Sequence, residues 1–405
     1  MKNKYLSTSL GLYINYFVHG MALIIIAQNI DFLSEKWNTD NAGAAAVVSS
    51  FGIGKIIAVF FSGKISDKFG RKLSVVLGII FYLLFLVGVL WSPNTTAAYL
   101  FGISAGIANS FLDTGTYPAL MEAFPKKSGP ANIIVKAFIQ AAQFLLPLII
   151  SFLILQKLWY GWSFILIIAI LVVNLIFIAT RKFPALESSV IEKVPNAVED
   201  NKKGRFHFSL EELCLISFGF VAQTLLYVLS QWIPKYGSEV VKMSDAASRV
   251  LVSYESIGAI ICVIITFTLG NRGIKSVYFL MIYTFIAGII SMVLWAFPSP
   301  FVCIPGSFLL GYFSAGGLIQ LGLTLLAEKS SRGKGYVTSL YTIAEGIAVF
   351  TIPLLAASIS RVSISGIFLL NSLVAFLGCA LILTVFIRGK RFSRKQTVNI
   401  NEQTA

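Results

Sequence analysis

Charge is scarce in this sequence: 12% of its 405 residues are Asp, Glu, Lys or Arg, about half the share found in soluble globular chains. Histidine occurs twice and cysteine four times. Cys214, Cys262, Cys303 and Cys379 stand singly inside apolar runs. Without CxxC or Cys/His spacing they exclude a zinc frame or disulfide scaffold, and they read as small packing residues. No Ser/His/Asp set, metal spacing or phosphate loop is present, so the chain reads as a non-enzyme that calls for no metal and no organic cofactor. A cleavable signal peptide is also missing; the first apolar segment is too long for one and is expected to remain as a helix. The sequon Asn94-Thr95-Thr96 falls in a very short turn and reads as a chance match.

What fills the chain instead is apolar: 57% hydrophobic residues, 33 Phe and a mean hydropathy of +0.82. About twenty apolar residues cross a bilayer as a helix, because lipid leaves every backbone N–H and C=O to be satisfied within the segment. That unit recurs over 8–32, 42–62, 73–92, 96–122, 131–155, 160–180, 210–233, 245–269, 276–297, 301–327, 335–359 and 363–387. The fold class is therefore an all-α polytopic membrane protein, with the lipid bilayer as its surroundings and a monomer as the expected state. Residues 181–209 form the one long polar interruption. They read as a cytoplasmic linker between a first bundle, 1–180, and a second, 210–388, followed by a basic, irregular tail, 389–405.

The net charge of +14 could suggest nucleic acid, but its distribution decides otherwise. Of the 32 Lys and Arg residues, 24 fall in the termini and the loops on their side, against 6 in loops of the opposite side; Lys55 and Lys136 fall within spans. This is the positive-inside signature, which expects both termini in the cytoplasm and the protein in the cell membrane.

A repeat underlies the two bundles. A shift of 204 residues pairs Gly54 with Gly258, Trp91 with Trp295 and Gly102 with Gly306; near 206, Glu122 meets Glu328 and Pro147 meets Pro353. Parallel six-helix repeats suit a transporter whose site lies between the halves near the midplane. The densest charge, GKISDKFGRK at 63–72, lies between the second and third spans. Its Gly63, Asp67, Lys68, Gly70, Arg71 and Lys72 resemble the loop signature of the major facilitator superfamily, and 269–275 reads as a degraded second copy. The resemblance implies a cytoplasmic gate in which Asp67 pairs with basic residues across the seam between halves. A solvated loop that only sets orientation is the alternative.

Ionisable groups inside a bilayer are costly and mark function. Here they are His19, Lys55, Asp113, Glu122, Lys136, Glu255 and Glu345, of which Glu122 and Lys136 lie near the cytoplasmic ends and read as snorkelling. Residues 112–118, Leu-Asp-Thr-Gly-Thr-Tyr-Pro, resemble the fourth-helix motif of the fucose–proton symporter group. Asp113 then stands where that group has a protonatable Glu; Tyr117 replaces its Asn, and the first span lacks its Asp. A carboxyl shielded from water can exchange a proton near neutral pH. Asp113, with His19 at similar depth, is therefore the expected proton-coupling site, against plain structural roles for both.

The superfamily resemblance also implies that the second span packs on the eleventh. Lys55 and Glu345 would then bridge the halves, or Lys55 would bind an anionic solute. Asn109, Gln140, Gln143, Gln223, Tyr254, Glu255 and Gln320 complete the expected substrate-binding set, as hydrogen-bonding, stacking or charged groups for a small polar solute. Drug–proton antiporters of the superfamily carry a glycine-rich motif before a fifth-helix Pro. The run 140–147 keeps Pro147 without the glycines, which favours uptake by proton symport over efflux. The expectation is alternating-access import of a sugar or organic acid coupled to H+, with efflux or a sensor or lipid-handling scaffold as alternatives.

Overall fold

The structure, a computed structural model, describes residues 4–124, 128–184, 208–330 and 334–403. Most of the linker lies outside these residues, as do Lys2, Lys126, Lys127 and Arg332 of the basic count. The first half holds α1 (Leu6–Gln28), α2 (Ile30–Lys36), α3 (Asn41–Ala46), α4 (Ser49–Phe69), α5 (Arg71–Trp91), α6 (Thr95–Ala123), α7 (Ser128–Leu155) and α8 (Gly161–Ala179). The second holds α9 (Leu210–Glu239), α10 (Asp245–Asn271), α11 (Ser276–Ala296), α12 (Pro300–Leu310), α13 (Leu318–Lys329), α14 (Lys334–Ser360) and α15 (Ser365–Gln403). Among the described residues there is no strand.

Side-chain caps fix where several helices begin. Asn94 Oδ1 accepts from Ala97 N at 2.9 Å at the start of α6, and Ser209 and Glu212 form a reciprocal capping box on α9. Both interior prolines of the repeat, Pro147 and Pro353, lie inside unbroken helices. The break comes elsewhere: a π turn, Gly311–Ala315, separates α12 from α13 within the tenth predicted span. Helix α15 continues past Arg388 to Gln403, where an irregular tail was expected.

Two predicted boundaries need correction. The charged stretch 63–72 is not a loop: α4 runs through Asp67 and Lys68 to Phe69, and α5 starts at Arg71. Gly70 alone makes the break, with φ 96° and ψ 154°, a backbone region open essentially only to glycine. The first span also ends early, at Gln28, with Asp31 placed on the short α2 beyond it.

Eleven helical segments among the described residues are apolar and long enough to cross a bilayer. Helix α6, rich in Gly, Ser and Thr, is not one of them, yet it has the length of a span. Its neighbours explain this: α6 packs on α4 along one side and on α5 along the other, so protein rather than lipid covers its polar positions.

Glycines allow these crossings, and they repeat in the two halves. A Cβ at Gly54 would lie 1.9 Å from Ile103 O, and one at Gly106 1.9 Å from Phe51 O, where α4 crosses α6. In the second half a Cβ at Gly258 would lie 2.0 Å from Phe308 O, and one at Gly311 2.0 Å from Glu255 O. The halves themselves meet where α4 crosses α14, with Gly52 against the backbone of Gly346 and Phe350.

Candidate functional site

That α4–α14 crossing places Lys55 beside Glu345. Lys55 Nζ donates to Glu345 Oε2 at 3.2 Å, and both side chains are largely buried. One turn away on α6, Asn109 and Asp113 face the same space. Tyr16 of α1 donates its hydroxyl to Asp113 Oδ1 at 2.5 Å. The His19 ring edges Tyr16 at 5.6 Å, and its Nδ1 is hydrogen-bonded to the Tyr82 hydroxyl. Tyr117 stacks obliquely on Tyr16, so three tyrosines and a histidine surround the Asp113 carboxyl.

These groups line two adjoining cavities between the halves. The inner, of about 190 Å³, is bounded by Tyr16, His19, Tyr82, Asn109, Asp113, Gln143, Gln223 and Gln320 among others. The larger, of about 930 Å³, extends past Ser62, Gly63, Pro118, Thr338 and Ser339 toward the end of the molecule that carries Gly70. Lys55, Asp113, Tyr117, Lys136, Gln320 and Glu345 line both.

Four sequence assignments do not fit this geometry. Lys136 is not a snorkelling residue: it shares with Ile139 and Gln143 the α7 face that lines the cavity. Helix α7 starts at Ser128 rather than 131, which places Lys136 two turns inside. Gln140, about 100° around α7 from Ile139, is buried against protein, with neither end of its amide bonded. Tyr254 is 38% exposed and lines neither cavity. Its neighbour Glu255 is 1% exposed and also lines neither, and both its carboxyl oxygens lack a hydrogen-bond partner.

The charged stretch keeps to its own half. Arg71 bonds Asp67 at 2.5 Å, Glu122 at 3.1 Å and Ser66 Oγ at 2.9 Å, while Lys72 donates to Ala179 O at 2.6 Å. Among the described residues no partner of Asp67 lies across the seam. In this conformation the large cavity lies between the halves here, and the described contacts of the stretch form no latch across it.

At the opposite end the halves are joined. Asp31 of α2 accepts from Lys235 of α9 and, at 3.3 Å, from Arg249 of α10. Arg249 also donates to Gln28 O, and Gln231 Nε2 to Leu23 O at 2.7 Å. Asp40 pairs with Arg361 at 2.9 Å. Sequence reading missed Asp31, an isolated acid inside the expected first span, 8–32, that the count of ionisable groups there left out. It also missed Tyr16 and Tyr82, which nothing distinguishes from the other 13 of 15 tyrosines.

The cavity lies between the two halves and is closed at one end by these contacts, and comparison with known proteins identifies the family. The sequence pattern of the Major Facilitator Superfamily matches residues 12–330. The chain is 40% identical to the inner membrane transport protein YdiM of Escherichia coli over 99% of both chains. Its fold is similar to the crystal structure of a D-xylose-proton symporter (TM-score 0.77, 13% identity, covering 94% of this chain and 97% of that one). It is similar too to the nucleoside transporter NupG (TM-score 0.71, 16% identity, 93% and 99%). The chain belongs to the major facilitator superfamily, as a multi-pass membrane protein of transport.

Proposed function

We propose that the protein imports a small polar solute, a sugar or an organic acid, together with a proton, by alternating access across the cell membrane. The observation that carries this reading is Asp113: a carboxyl lining the cavity between the halves, bonded by Tyr16 and surrounded by Tyr82, Tyr117 and His19. Such a group can take a proton from one side of the membrane and deliver it to the other, provided the cavity opens to each in turn. Tyr16, on α1, reports the proton's presence to the helix beside it, since its hydroxyl, which donates to Asp113 Oδ1, must turn to accept when that oxygen is protonated. Asn109, Gln143, Gln223 and Gln320 supply hydrogen bonds for the solute.

The similar D-xylose-proton symporter supports coupling to a proton, and YdiM's name supports the inner membrane. The excess of Lys and Arg around the 63–72 end supports placing that end, with both termini, in the cytoplasm. The cavity then faces inward, and Asp31, Lys235, Arg249, Asp40 and Arg361 close the outer side.

Proteoliposomes that enclose a pH-sensitive dye test this directly. Adding the transported solute outside should acidify the lumen, and Asp113→Asn should abolish the acidification while solute still binds. Solute entry without acidification would refute the coupling; acidification that survives Asp113→Asn would refute the assignment.

A further inference from the structure

The charges of the cavity do not cancel. Lys55, Lys136, Asp113 and Glu345 line it. Lys55 and Glu345 neutralise each other at 3.2 Å. Asp113 is the group that exchanges the proton in the reading above, and its partner is a tyrosine hydroxyl rather than a cation. His19 is bonded to Tyr82. Lys136 is left: among the described residues it makes no ion pair and no side-chain hydrogen bond. On the helices packed against α7 the other acids are Glu122 of α6, which holds Arg71; Asp245, in the first turn of α10; and Glu255 of α10. Glu255 is near enough to act on Lys136 through space, but it lies outside the cavity and its oxygens accept no bond from Lys136 or any other donor.

We infer that the solute is a hydroxylated monocarboxylate, and that Lys136 Nζ receives its carboxylate. This rests on the transport reading and narrows it. A cation held in a cavity walled by protein is costly without a counterion, so a neutral sugar would leave that cost in place. A single carboxylate removes it. A dicarboxylate would bring a second negative charge for which the cavity holds no free cation.

The proton fits the same arithmetic. With Asp113 protonated, the cavity carries the one positive charge of Lys136, and an anion completes it. With Asp113 ionised, the cavity is already neutral and its affinity for an anion falls. Proton and monocarboxylate are therefore favoured together, and each crossing moves no net charge. The amides of Asn109, Gln143, Gln223 and Gln320 line the same cavity and supply hydrogen bonds for the solute's hydroxyls.

Thermal unfolding of the purified full-length protein tests the class without any proton gradient. The probes are lactate, glycerate and gluconate, each beside its neutral alcohol and its dicarboxylate relative. We expect saturable stabilisation by a monocarboxylate and none by its neutral partner. Lys136→Gln should weaken that binding at least about tenfold, the loss of a charge-assisted hydrogen bond, and Lys136→Arg should restore most of it. Unliganded unfolding midpoints and elution volumes of both variants show whether they fold. Stabilisation by neutral solutes alone, unchanged binding in Lys136→Gln, or no response to any monocarboxylate would overturn the inference. The dye-loaded proteoliposomes separate the two failures. Acidification driven only by neutral solutes keeps the transport reading and removes the anion site. Binding to Lys136 without acidification does the reverse.

Discussion

The two ends of the molecule use charge in opposite ways. At the end that carries Gly70, charges are many and their contacts stay inside one half: Arg71 holds Asp67 and Glu122, and Lys72 holds Ala179 O. At the other end charges are few, but Asp31 and Asp40 of the first half meet Lys235, Arg249 and Arg361 of the second. Density sets which way a chain sits in the bilayer, since each loop is counted as it is inserted. Holding two halves together needs only a few charges on facing surfaces, and there burial decides their worth. In this conformation the latch is at the sparse end.

Asp31→Ala should give the largest effect. Its partners Lys235 and Arg249 have side chains 10% and 5% exposed, so stripping their counterion approaches the cost of a broken buried pair. Lys235 keeps Glu239 at 2.7 Å, Arg249 keeps Gln28 O, and Asp31 itself is 42% exposed. Discounting for these leaves about 2 kcal/mol, roughly a thirtyfold shift away from this conformation. Spin labels at Glu35 and Val362, both exposed at this end, read the shift as a growing population at longer separation. Asp67→Asn removes a carboxylate 71% exposed and leaves Arg71 its Glu122, so it should change the equilibrium by less than about 1 kcal/mol and leave the Glu35–Val362 distances as they are. If Asp67→Asn moved the labels more than Asp31→Ala, the roles assigned to the two ends would be reversed.

Much of this fold was legible because the bilayer enforces it: lipid tolerates long apolar helices and little else, so most span boundaries fall within a few residues of the helix ends, while α4, α9 and α15 run on beyond them. The exceptions have local causes. Gly70 turns the chain in one residue, a conformation no composition count foresees. The π turn at Gly311 brings backbone against Glu255 O, a demand made by packing rather than by sequence period. For the site, an isolated charge in an apolar run was a sound pointer to position, and Asp113, Lys55 and Glu345 do come together. Rotation about the helix was not legible. Gln140 and Gln143 look alike in sequence, but only the second shares the face of Lys136 and Ile139. Tyr16 escaped notice because a tyrosine in an apolar span carries no charge to mark it.

The smallest effect belongs to Asp40 and Arg361, and it sharpens the contrast within the sparse end. Asp40 caps α3 through Gly43 N at 2.7 Å and accepts from Arg361 at 2.9 Å. These two partners, Arg361 first, hold its carboxyl below the usual carboxylate range, and the same pairing raises the Arg361 guanidinium. A lowered folded-state value means that the stability is fully present above the ordinary carboxylate value of 3.8 and is lost as pH falls through the folded one. Both side chains are more than half exposed, so salt screens the pair, unlike the buried partners of Asp31. Arg361→Gln should therefore lower the unfolding midpoint only slightly at neutral pH and low salt. That difference from wild type should vanish in high salt, and also as the pH falls below the carboxylate range. The Asp31→Ala shift should outlast the same salt; if both faded together, burial would not be what separates the two contacts.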